Sequence, residues 1–102
     1  MKRGMTINKT TDGEKLTVRL AGRLDTTTAP QLDAELKSSL DGVKELDFDF
    51  AELLYLSSAG LRVLLTCQKR MNRQGRMVIR NVNAVIMDVF EVTGFTDILT
   101  IE

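Results

Sequence analysis

Two adjacent hydroxyls, Ser57 and Ser58, divide an apolar run, Leu53-Leu54-Tyr55-Leu56, from an amphipathic one that opens Ala59-Gly60-Leu61-Arg62. The spacing predicts a loop, then a helix that starts at Ser57-Ser58 and runs to about Gln74, with Gly75 as its stop. A serine at a helix start has two uses. Its oxygen can accept one of the backbone N–H groups that the first turn leaves without partners. It can also carry a phosphate, because those donors and the positive end of the helix dipole favour an anion. The residues by themselves leave both uses open. Gly60, just inside the helix, weakens it by about 1 kcal/mol relative to Ala. Close approach by a partner's backbone and close packing on a strand both account for a glycine there.

Other chemistry is sparse. Asp25, Asp47 and Asp49 are the acids that could cluster for metal or acid–base work, but the pattern favours a capping role for Asp25 and wet strand positions for the other two. The chain has no His, which excludes a Ser-His triad and a His general base within it. It has no P-loop motif, and no cofactor, metal or catalytic activity is expected. Its one cysteine, Cys67, falls in the apolar arc of the predicted helix and reads as a small buried hydrophobe. A single Cys also suits a reducing cytoplasm. Lys plus Arg and Asp plus Glu balance at 14 each, so charge gives no push toward nucleic acid or a membrane surface. Met1-Lys2-Arg3 resembles a signal-peptide start, yet Gly4 to Asp12 is polar and no apolar stretch follows. No segment approaches the roughly 20 apolar residues needed to span a bilayer.

The elements that must position the serines follow from periodicity. Met5 to Thr10 alternates weakly, and Asp12-Gly13 is a hairpin turn signal leading into Leu16 to Leu20, which alternates cleanly. Thr28-Ala29-Pro30-Gln31 has the form of a capping box with Pro in the first turn. Leu32, Leu36 and Leu40 then form one apolar stripe on a helix ending near Asp41-Gly42. Glu45 to Phe50 alternates again. In the central helix Leu61, Val63, Leu64, Leu65, Cys67 and Met71 share an arc, opposite the basic face of Arg62, Lys69, Arg70 and Arg73. Met77-Val78-Ile79 is a strand, Asn83 caps a third helix, and Gly94-Phe95 ends it. Ile98 to Ile101 is either a last turn or a final edge strand. The order predicts a single α/β domain over residues 1–102: a four- or five-stranded, mostly parallel but mixed sheet with three or four helices mainly on one face. Its first two strands pair antiparallel. Asp25, Asp49 and the Ser57-Ser58 loop are expected together at the carboxyl ends of the strands.

Three segments resemble the STAS family, the sulfate transporter and anti-sigma factor antagonist domain, and more narrowly its small stand-alone bacterial members. They are Gly22-Arg23-Leu24-Asp25-Thr26-Thr27-Thr28-Ala29-Pro30, then Asp47-Phe48-Asp49-Phe50 followed by Tyr55-Leu56-Ser57-Ser58-Ala59-Gly60-Leu61, and finally Val92-Thr93-Gly94-Phe95. The resemblance implies a STAS-like fold and a phosphorylation switch. The unmodified protein would bind an anti-sigma factor that is also a serine kinase of the GHKL ATPase type, releasing a sigma factor. Phosphorylation would end that binding, and a PP2C-type serine phosphatase would restore it. Aligned on Gly60, the acceptor falls on Ser58. The residue before it, often aspartate in the family, is Ser57 here; this removes a carboxylate and leaves Ser57 as an alternative acceptor. The residue after it, often serine, is Ala59. Asp25 matches a position tied to partner and kinase recognition. The partner-binding set implied is Asp25, Thr26, Tyr55, Leu56, Ser57, Ser58, Ala59, Gly60 and Arg62. The family also holds non-enzymatic accessory subunits of stress-signalling assemblies and of lipid-transport ABC complexes, the alternative role.

Overall fold

The computed structural model describes residues 4–102, so the signal-like Met1-Lys2-Arg3 lies outside the described residues. Strand β1 (Met5–Asp12) turns at Gly13, whose φ of +60° suits glycine, into β2 (Lys15–Leu24). Helix α1 (Ala29–Ser39), strand β3 (Glu45–Leu56), helix α2 (Ser58–Gln74), strand β4 (Arg76–Arg80) and helix α3 (Ala84–Thr93) follow, with a short 3₁₀ turn at Phe95–Asp97. The sheet order is β1-β2-β3-β4, with β1 and β2 antiparallel and the β2–β3 and β3–β4 pairs parallel. This is the expected mixed sheet, in its four-stranded form. The ambiguous tail resolves into a 3₁₀ turn followed by one parallel bridge, Ile79 to Ile101.

One hydrophobic core joins all three helices to a single face of the sheet. Leu32 and Leu36 of α1, Leu61, Leu64 and Met71 of α2, and Ile86 and Phe90 of α3 pack with Leu16, Val18 and Leu20 of β2, Leu46, Phe48 and Phe50 of β3, and Met77 and Ile79 of β4. Each is a large apolar side chain, and each contributes about 1.5–3 kcal/mol by leaving water. The opposite face is polar and stitched by charge. Lys15 approaches Glu45 at 3.7 Å and Asp47 at 3.4 Å, Arg80 meets Asp47 at 3.2 Å and Glu102 at 3.0 Å, and Arg19 meets Asp49 at 3.3 Å. Asp47 is not the wet residue expected: it is only 5% exposed, roofed by these cations, and one carboxylate oxygen has no hydrogen-bond partner among the described residues.

The largest departure from the sequence reading is the length of β3. The loop expected at Leu53-Leu54-Tyr55 is strand, paired to β2 through Gly22–Leu53, Arg23–Tyr55 and Leu24–Leu56. Two register shifts, between Arg19 and Ala21 and between Gly22 and Arg23, each place one extra residue on β3. Inward-facing residues there are Phe50, Leu53 and Leu56, spaced by three instead of two, so the alternation that marks a strand disappears from the sequence. Leu54 and Tyr55 face outward, Leu54 at 70% exposure.

Candidate functional site

Strand β3 delivers the serine pair directly into α2. Ser57 keeps an extended backbone (φ −100°, ψ 174°), donates its N–H to Leu24 O at 2.9 Å and accepts Leu61 N–H at 3.0 Å. Its backbone therefore caps the helix and ties it to the end of β2. Its side chain does not: the Ser57 hydroxyl is buried and has no hydrogen-bond partner among the described residues. Of the two uses open to a serine at a helix start, the Ser57 side chain does not serve as a cap, and burial makes it a poor acceptor for any incoming group. Ser58, the first residue of α2, is exposed. No acidic residue stands in the first turn, so the positive end of the helix has no carboxylate of its own.

Gly60 is explained by packing. A Cβ there would lie 2.7 Å from both Leu24 Cγ and Leu56 Cδ1, so α2 sits directly on the ends of β2 and β3. Leu56 and Leu61 are buried, and Ala59 is half-buried against the core. Arg62 is exposed and makes no ion pair or side-chain hydrogen bond among the described residues. It lines a groove of about 370 Å³ between α1 and α2 together with Thr26, Ala29, Asp33, Lys37 and Ala59.

The turn between β2 and α1 forms the other wall. The chain already curls at Asp25, whose carbonyl accepts Ala29 N–H at 2.8 Å. The Asp25 carboxylate accepts the Thr27 hydroxyl at 2.8 Å and the N–H groups of Thr27 and Thr28 at 3.0 and 3.2 Å. These bonds, the Thr27 hydroxyl first, hold its carboxyl below the usual range. The expected Thr28–Gln31 capping box does not form. Thr28 is helical at φ −99°, ψ −22°, and its buried hydroxyl turns inward to donate to Arg23 O at 2.8 Å and accept Asp25 N–H at 2.8 Å. Asp25 does the capping in its place. Arg23 lies with its guanidinium carbon 4.1 Å from the centre of the Tyr55 ring and its Nε 3.6 Å from the Asp25 carboxylate.

The fold brings Asp25, Thr26, Tyr55, Leu56, Ser57, Ser58, Ala59, Gly60 and Arg62 to one end of the molecule; the sequence reading expected this of Asp25 and the Ser57-Ser58 loop. It does not bring Asp49 there. Asp49 lies seven residues back from Leu56 along β3, on the order of 20 Å. It binds Asn81 at 3.0 Å, Ala51 N–H at 2.9 Å and Arg19, in that order the causes of its lowered pKa. The three acids hold three separate sets of partners. Cys67 is buried, with its thiol pushed up to about 12 by burial, and stays protonated at neutral pH. Arg23 is the site residue that sequence reasoning missed, because only the shifted register sets it opposite Tyr55.

An exposed hydroxyl at the head of a helix, beside a rigid acidic turn and an apolar shelf, is suited to accept a small charged group within a protein-docking surface. The comparisons with known proteins agree with this fold. The family model described as Mlab, STAS domain, matches residues 7–100. BtrV of Bordetella bronchiseptica, provisionally named an anti-sigma factor antagonist, is 37% identical over 84 residues, covering 80% of this chain and 72% of its own. The anti-sigma-B factor antagonist of Listeria monocytogenes is 32% identical over 98 residues, covering 92% and 84%. The solved structure of the Bacillus cell fate determinant SpoIIAA in its phosphorylated form superposes with a TM-score of 0.75 at 20% identity, covering 95% of this chain and 91% of that one. With matching motifs, fold and family model spanning nearly its whole length, the chain belongs to the STAS domain family.

Proposed function

We propose that the protein is an anti-sigma factor antagonist, a binding module without catalytic activity of its own, switched by phosphorylation of Ser58. The observation that carries this reading is the contrast between neighbours: the Ser58 hydroxyl is exposed, whereas the Ser57 hydroxyl is buried. In the unmodified state the surface formed by Asp25, Thr26, Tyr55, Leu56, Ser57, Ser58, Ala59, Gly60 and Arg62 docks an anti-sigma factor that is also a GHKL-type serine kinase. A PP2C-type phosphatase reverses the modification, and all of this takes place in the cytoplasm. Relatives named for anti-sigma factor antagonism support this role over that of an accessory transport or stress-signalling subunit.

The physics of the switch is simple. A phosphoserine adds about −1.5 to −2 charges. At a helix start the fold tolerates that charge, by about 0.3–1 kcal/mol in the favourable direction. Across an interface, like charges cost several kcal/mol, and each 1.4 kcal/mol is about tenfold in affinity. Ser58→Asp is expected to weaken the anti-sigma partner by about tenfold or more in calorimetry, while Ser58→Ala binds as the parent does. Incubation with the cognate kinase and ATP, followed by mass-spectrometric mapping, is expected to place phosphate on Ser58 and nowhere else. Labelling of Ser57, or equal affinities for the two variants, overturns the reading.

A further inference from the structure

The first turns of α2 carry a cation without a counter-charge. Arg62 lies four residues from Ser58, one turn into the helix, and is exposed. No acidic residue stands in that first turn, and Arg62 has no ion-pair partner among the described residues. The other charges facing this corner are already engaged. From the turn after β2, Asp25 holds Thr27 and Thr28, and Arg23 lies over Tyr55 of β3 and close to Asp25. From α1, Lys37 is paired with Asp33 at 3.1 Å.

We propose that Arg62 is the receiver for a phosphate on Ser58: on modification its guanidinium closes across one helical turn onto the phosphate, so that the docking surface loses a cation as it gains an anion. Residues four apart on a helix stand about 5–6 Å apart at Cβ, and an acid N-terminal to a base is the favoured order. Helical side chains lean toward the N-terminus, which directs the long Arg62 stem toward Ser58. The planar guanidinium suits bidentate pairing with phosphate oxygens. Arg62 acts here as a positioning residue. The inference rests on the reading of Ser58 as the acceptor, and its consequence is that one modification alters two features of the surface.

The test installs phosphoserine at position 58 of the full chain during translation, so it does not depend on any kinase. Phosphorus NMR then follows the second ionisation of the phosphate in the parent, Arg62→Gln and Arg62→Lys. The free value is about 6. The parent is expected below it, Arg62→Gln is expected to raise it by about 0.2–0.4, and Arg62→Lys is expected to recover part of the difference. The Arg62 Nε–H signal is expected to shift and exchange more slowly in the phosphorylated parent than in the unmodified protein. Equal titration of parent and Arg62→Gln overturns the inference, as does loss of the folded amide spectrum on phosphoserine incorporation. A kinase that fails to label Ser58 overturns the functional reading and leaves this measurement intact.

Discussion

The starts of α2 and α3 are built from similar materials and used in opposite ways. Both begin after an extended residue with a short polar side chain, Ser57 at ψ 174° and Asn83 at ψ 170°. Asn83 uses every part of its amide: Oδ1 accepts Ile86 N–H at 2.9 Å, and Nδ2 donates to Leu53 O at 2.8 Å. That start is closed, and it also fixes the far end of β3. Ser57 makes neither kind of bond with its side chain, and the next residue presents its hydroxyl to solvent. A helix start whose donors are left to water keeps room for an added anion, at the expense of a cap. The contrast separates a structural junction from a chemical one on hydrogen bonding alone.

The sharpest way to break the contrast is to push α2 off its seat. Gly60→Val is expected to destabilise the fold by about 1–3 kcal/mol in urea unfolding, because the new methyls meet Leu24 and Leu56, whatever helix propensity is gained. An unchanged midpoint would mean that Gly60 is there for a partner instead. Next in size, Asn83→Ala removes a cap and leaves the Leu53 carbonyl unpaired, an expected loss of about 1–2 kcal/mol. Its counterpart Ser57→Ala removes only an unpartnered buried hydroxyl and is expected to stay within about 0.5 kcal/mol of the parent, or to gain slightly. Equal losses for the two would erase the distinction.

The smallest effect concerns the start of α1. The Asp25 carboxyl titrates below its usual value in the folded chain, so its contribution is fully present above that value and is lost as pH falls through the lower, folded one. Asp25→Asn is therefore expected to be slightly less stable than the parent at neutral pH. The gap closes as the solution is acidified below about pH 4. A gap that persists at low pH would show that the side chain's charge is immaterial.

Much of this was legible in the residues because its causes are local. The Asp12-Gly13 hairpin, the Leu32-Leu36-Leu40 stripe, the Asn83 cap and the left-handed Gly94 (φ +78°) are each set by neighbours within a turn or two. What escaped depends on partners distant in sequence. The extension of β3 is decided by its pairing with β2. Thr28 turns inward because Arg23 O and Asp25 N–H are waiting for it. Asp47 is buried by Lys15 and Arg80, 32 and 33 residues away in sequence.

The two additional residues in β3 also act as a counter. Phe50, Leu53 and Leu56 reach the interior on a three-residue stride, and Leu56 thereby ends the strand pointing inward, where it meets the seat of Gly60. Removing a single residue upstream, at Ala51 or Leu54, would take away one of the two irregularities and restore two-residue alternation there. The seat of α2 is thus set several residues before the helix begins.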